Sequence, residues 1–325
     1  MSPSQPTRQP AHLPLVSCLF LAASMTLVGS YVGLSKLLVA VFPVFLLAWL
    51  RFGIAAVAMA GWMRKPADEP TLGPAEKRLL FAQSLFGNFL FSICMLFGVQ
   101  ATSALAAGVT MAGIPAAVAL LSWVMLKERI TPRSAAGIAC AVGGIALLAF
   151  ARNAPGTASA PWWGYVLLLA AVFCEASYVV IGKRLTASLS PRRISALINA
   201  WGLALVTPLG LWQALSFDFT QVSAGSWGLL VFYALAASMV SVWLWMQGLK
   251  RVPAQQAGVF TVMLPLSAAA IGVLLLGEHM TAAHALACAL ALAGLLLATW
   301  PSRVLPGTAS NSAKHPPAPA ADKVG

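Results

Sequence analysis

Charge is scarce in this sequence: only 9% of its 325 residues are Asp, Glu, Lys or Arg, and only eight of those are acidic. A soluble domain carries about a quarter charged residues, so that class is excluded. The shortage of acids also removes chemistry. The three aspartates, Asp68, Asp218 and Asp322, lie between or beyond the apolar runs, so no aspartyl dyad forms within them. His279 and His284 do not make HExxH, GxSxG is absent, and no Gly-rich loop ends in Lys-Ser/Thr. An enzyme and a pump driven by ATP on this chain are therefore not expected. The five cysteines, Cys18, Cys94, Cys140, Cys174 and Cys288, fall inside apolar runs without paired spacing, which gives neither a disulfide framework nor a metal site. No cofactor and no metal is expected.

What remains is apolar: 60% of the residues, gathered in runs of about 20, each long enough to cross a hydrocarbon layer of about 30 Å. Ten such spans are read, at 15–38, 43–63, 78–98, 103–126, 133–151, 162–182, 192–214, 226–248, 254–276 and 281–300. The fold class is an all-α membrane protein with lipid as its solvent. Residues 15–38 exceed a signal-peptide core and lack a cleavage site, so they are read as a retained span. The tails, 1–14 and 302–325, are rich in Pro, Ala and Ser and are expected to be disordered.

The net charge of +12 marks topology and not a nucleic-acid partner. All basic residues except Lys36, Arg51 and Arg152 fall in the tails or in alternate segments between spans. That asymmetry predicts a cytoplasmic N-terminus and, with ten spans, a cytoplasmic C-terminus.

The second half repeats the first. A shift of 150 superimposes Gly98 on Gly248, Ala104 on Ala254, Ala107-Gly108-Val109 on Ala257-Gly258-Val259, Pro115 on Pro265, Glu128 on Glu278 and Thr131 on Thr281. A shift of 147 places Ser30-Tyr31-Val32 and Lys36 on Ser177-Tyr178-Val179 and Lys183. Two repeats follow, 15–151 and 162–300. Because five spans is an odd number, the second repeat enters the membrane from the opposite side. The result is two inverted, antiparallel five-helix repeats with a cavity near the midplane between them.

The run from Ala104-x-x-Ala107 through Pro115 to Glu128-x-x-Thr131, repeated as Ala254-x-x-Ala257, Pro265 and Glu278-x-x-Thr281, resembles the tandem EamA-type repeat of the drug/metabolite transporter superfamily. Arg51-Phe52 in the second span matches the same pattern, and the resemblance covers about residues 15–300. It implies a secondary transporter of a bacterial-type inner membrane that moves a small metabolite, an amino acid or related compound, with export favoured. An uptake permease, or a channel or scaffold without enzymatic activity, is the alternative.

Candidate site residues fall into three groups. Pro115 and Pro265 lie inside the fourth and ninth spans, freeing the carbonyls of Met111 and Thr261, and read as hinges or as plain packing kinks. Glu175, mid-way along the sixth span, and Arg51, the only intramembrane base, read either as a structural ion pair or with Glu175 as the site of a proton or a cationic substrate. Proton coupling follows from the second reading. Ser30, Tyr31, Asn88, Ser177, Tyr178, Asn199, Trp243 and Gln247 offer hydrogen bonds or aromatic surface to a substrate, or glue between helices. The repeat-related Tyr31 and Tyr178 lead that group. Glu128 and Glu278 read as structural helix ends, beside Thr131 and Thr281 as caps of the helices that follow. Small-residue rows, Ala136, Cys140 and Gly144 in the fifth span and Ala283, Ala287 and Ala291 in the tenth, read as close packing faces. Oligomeric state is left open.

Overall fold

The computed structural model describes residues 15–65, 72–126, 132–151, 160–185, 189–249 and 258–299, and among them all regular structure is helical. The tails, Glu128 with Thr131, and 254–257 lie outside the described residues. The helices are α1 (Leu15–Val41), α2 (Val44–Ala58), α3 (Pro74–Ser84), α4 (Phe91–Ala101), α5 (Ala104–Met111), α6 (Ile114–Leu126), α7 (Pro132–Ala151), α8 (Trp162–Leu185), α9 (Pro191–Ser216), α10 (Ala224–Leu235), α11 (Ser241–Leu249), α12 (Met263–Leu274) and α13 (Ala282–Thr299). They fall along the apolar runs of the sequence. Among the described residues, four stretches, Leu15–Val41, Pro74–Ala101, Arg192–Ser216 and Ala224–Trp245, are long and apolar enough to cross a membrane by themselves, and shorter apolar stretches include Val44–Ala58, Ala104–Val118, Trp162–Tyr178 and Phe260–Leu274.

Local chemistry starts several of these helices. Pro74, Pro132 and Pro191 stand at first positions, where the missing N–H is not needed. Ser103 caps α5 by accepting from the Ala106 N–H at 3.0 Å, and Ser223 does the same for the Ser226 N–H at 3.2 Å. Thr281 caps α13 as expected, its Oγ1 accepting from the His284 N–H at 3.3 Å.

Two irregularities recur with the repeat. A π turn, Leu85–Leu90, joins α3 to α4, and another, Ala236–Val240, joins α10 to α11. Shifted by 150 residues, Leu90 falls on Val240. Inserted π turns rotate the helix beyond them and gather at functional positions. The proline expectation is sharpened in the same way: the chain does not merely kink. Before Pro115 it breaks between α5 and α6, where Ala112 N–H donates to Val109 O at 3.2 Å and Gly113 N–H to Thr110 O at 3.0 Å. Before Pro265 the chain runs as a 3-10 turn, Gly258–Val262, into α12. Tightened turns of this kind are common where a helix ends, and here they bond the last carbonyls of α5 ahead of Met111, whose carbonyl loses its helical donor to Pro115.

The main helix pairings join the two halves of the sequence. α1 packs on α11 and α12, α2 on α9 and α10, α4 and α6 on α8, α5 on α12, and α7 on α13. The halves thus interlock instead of standing side by side. Of the small-residue rows on α7 and α13, Gly144 and Ala287 are buried, whereas Ala136 is exposed and Cys140 and Ala283 are half-buried. Glycine allows the closest approach, between α1 and α12, where a Cβ on Gly29 would overlap the Leu264 carbonyl and the Ser267 hydroxyl.

Candidate functional site

Arg51 on α2 is only 5% exposed. Its Nη1 donates to Ser92 Oγ on α4 at 3.0 Å. Its guanidinium carbon lies 4.8 Å from the Phe52 ring centroid and 5.4 Å from that of Tyr233 on α10, close enough for cation–π attraction. Nε is buried and, among the described residues, has no hydrogen-bond partner. A buried charge is costly unless its hydrogen-bonding capacity is met, and here part of that capacity is unused.

Glu175 lies thirteen residues into the 24 of α8, about 20 Å along its axis. Its side chain is half-buried, and among the described residues nothing donates to its carboxyl. No direct ion pair with Arg51 forms, because the guanidinium turns to Ser92 and to the Phe52 and Tyr233 rings. The two groups nevertheless share one space: the Arg51 charge acts on Glu175, and both act on Tyr31.

Three tyrosines complete the cluster. Tyr31 meets Tyr233 edge to face, with ring centroids 5.7 Å apart at 75°. Tyr178 lies within reach of the Glu175 charge, and its side chain packs so closely on Gly87, in the first π turn, that a Cβ there would overlap it. The repeat-related Tyr31 and Tyr178 therefore converge with the two charged residues.

Asn199 on α9 is 1% exposed; its Nδ2 donates to Phe52 O at 3.0 Å, beside Arg51, and its Oδ1 has no partner among the described residues. Asn88 in the first π turn lies against Gly202. Ser30 and Ser177 turn inward to their own helices, donating to Thr26 O and Phe173 O, each at 2.8 Å. Trp243 and Gln247 stand apart. The Trp243 ring packs 6.0 Å from Phe20, eleven residues and about 16 Å before Tyr31 on α1, and Gln247 adjoins Gly248, which abuts Leu21.

The EamA-like transporter family model matches the chain twice, at residues 15–150 and 162–300. The chain belongs to the EamA-like transporter family. It is 33% identical over 279 residues to YetK, an uncharacterized transporter of Bacillus subtilis, covering 85% of this chain and 84% of that protein. An uncharacterized transporter of Archaeoglobus fulgidus is 25% identical, over 77% of this chain and 87% of its own length. A crystal structure 20% identical superposes with a TM-score of 0.58, over 87% of this chain and 96% of that one, and so shares the fold. The protein is a multi-pass membrane transporter.

Within this EamA-like chain, sequence reasoning missed Tyr233 and Ser92. A signal for Tyr233 was present, since the chain has only four tyrosines and three of them meet here. For Ser92 there was none: one serine among several in apolar runs does not show which helix it faces.

Proposed function

We propose that this chain is a secondary transporter of ten spans in two inverted repeats. It moves a small metabolite, an amino acid or related compound with export favoured, across the inner membrane by alternating access, with both termini cytoplasmic. The observation that carries this reading is the cluster of Arg51, Glu175, Tyr31, Tyr178 and Tyr233: two charged side chains deep in apolar helices that leave bonding capacity unspent. Intramembrane ionisable groups are expensive and mark substrate or proton paths. Arg51 offers a cation to one end of a solute, Glu175 an acid to the other, and the tyrosines a face to its carbon frame.

The grouping of helix ends supports the topology. Lys36 near the end of α1 bonds the end of α4, as two spans leaving the membrane on one side require. Arg192 at the start of α9 lies 5.8 Å from the ring of Trp62 beyond α2, as the opposite side requires. Because the helix pairings join the halves, the bodies that move are mixed bundles and not the two repeats as units.

The test is thermal melting of the purified protein against amino acids, sugars, amines and nucleotides, followed by flux in liposomes. A ligand at a hundred times its Kd stabilises the folded state by about 2.7 kcal/mol. With the responding compound, Tyr31→Ala and Tyr178→Ala are each expected to weaken binding about tenfold. The Phe variants, which keep the ring, should bind nearly as the parent does. No thermal shift with any class, together with flux that does not saturate, would argue for a channel.

A further inference from the structure

A second charged cluster lies at the Lys36 end of the bundle, away from the cavity residues. Lys36 Nζ donates to three carbonyls around the end of α4: Val99 at 2.7 Å, Gln100 at 3.1 Å and Thr102 at 2.6 Å. On the other side of the same turn, Glu278 accepts from the first two N–H groups of α5. Ala104 donates to Oε1 and Leu105 to Oε2, each at 2.8 Å. A cation at a helix C-terminus and a carboxylate at an N-terminus are the placements that helix dipoles favour. Neither comes from the helices it serves. Lys36 belongs to α1, and Glu278 follows α12 in the other repeat.

The backbone is shaped to aim Glu278. Leu275 and Leu276 donate to Ile271 O at 3.0 and 3.1 Å, and Glu278 N–H to Gly272 O at 2.9 Å. Gly277 takes the left-handed conformation, φ 66°, that ends a helix in this way. Gly272 leaves room for the carboxylate, since a Cβ there would come 2.7 Å from Glu278 Oε2. The opposite end of the bundle is closed differently. There Leu80, Ile181, Leu185, Leu189, Ile194 and Ile198 form an apolar cluster between α3, α8 and α9.

We propose that Lys36, the α4–α5 turn and Glu278 form a charged latch that holds one mouth of the carrier shut and releases when that mouth opens. This rests on the alternating-access reading. α5 lies beside the Pro115 break and α12 beside the Pro265 turn, so the pieces clasped together are the two interrupted spans. Parting them breaks charge-assisted bonds whose groups water satisfies at once, so the net cost of opening is modest. An apolar seal of the same extent would expose surface that water does not repay.

The test is amide hydrogen exchange read by mass spectrometry on the full chain in nanodiscs, comparing the parent with Glu278→Gln, Lys36→Met and Ser103→Ala. Glutamine keeps the shape but turns an amide NH2 toward one of the two N–H donors. With a latch, Glu278→Gln and Lys36→Met each speed exchange about tenfold across 99–105, the loss expected of one charge-assisted bond. The increase spreads to 36–41 and 270–276 as one unit. Ser103→Ala removes only the cap internal to α5, and its effect stays at Ala106. An increase confined to Ala104 and Leu105, or an equal spread in Ser103→Ala, would make the cluster a static cap and overturn the proposal. Should Glu278→Gln fail to fold, Lys36→Met decides by the same criterion. Absence of solute flux would overturn the carrier reading while leaving the shared opening in place; a confined increase overturns the latch whatever the flux.

Discussion

Glu175→Gln is expected to bring proton-driven accumulation in proteoliposomes down to the protein-free background, while solute exchange at equal pH continues. The carboxyl sits near the middle of α8 and, among the described residues, has neither a donor nor a direct cation partner. A charge so placed costs several kcal/mol in apolar surroundings, which is the ground for proposing Glu175 as the site of a proton or a cationic solute. Glutamine keeps the size and a hydrogen-bonding end but neither binds nor releases a proton. If Glu175 carries the proton, the variant separates coupling from binding. The measurement is radiolabelled flux with and without a pH gradient. Flux that persists with unchanged pH dependence sinks the assignment. Loss of both gradient-driven flux and exchange would assign Glu175 to substrate binding instead.

Gly29→Val is expected to remove most of the folded protein, with a penalty of about 3 kcal/mol, the upper range for forcing extra methyl groups into a packed core. The reason lies in what the new side chain meets. At Gly29 it meets the Leu264 carbonyl of α12, which is backbone and cannot step aside, and the Ser267 hydroxyl, which already donates to Met263 O at 2.7 Å. Gly33 lies one turn further along α1, and there a Cβ would come 2.7 Å from Ile271 Cγ2 and 2.8 Å from its Cβ, with the nearest backbone oxygen, Ala268 O, at 3.5 Å, a shallower overlap than at Gly29. Gly33→Val should therefore retain more folded protein than Gly29→Val. Yield of monodisperse protein and its melting temperature check the ordering, and equal losses would show that the α1–α12 spacing is looser than these contacts imply.

A good part of the fold was legible before any coordinates. Apolar runs of spanning length mark out the helices, because a helix in lipid must be apolar along its length and satisfy its own backbone. The repeat placed Tyr31 with Tyr178 and Pro115 with Pro265, and both pairs proved to have matching settings: the tyrosines converge, and each proline follows a tightened turn. Thr281 declared itself as a cap because capping is read out within three residues. Glu278 did not. Its partners, Ala104 and Leu105, lie 174 and 173 positions away, and no local pattern encodes a bond of that span.

The amino-acid sequence alone thus determined the class, the helices, the repeat and the resemblance to EamA-type transporters, all of which depend on composition and on spacing along one chain. Tertiary structure decided which helix meets which. It turned Arg51 to Ser92 and Tyr233 instead of Glu175, added Tyr233 to the cluster, interlocked the two halves and brought Glu278 to α5. The reason is physical: these helices are apolar on nearly every side, so no polar stripe tells how each is rotated about its axis. That rotation, set by glycines, π turns and close packing between distant segments, decides which side chains share a site.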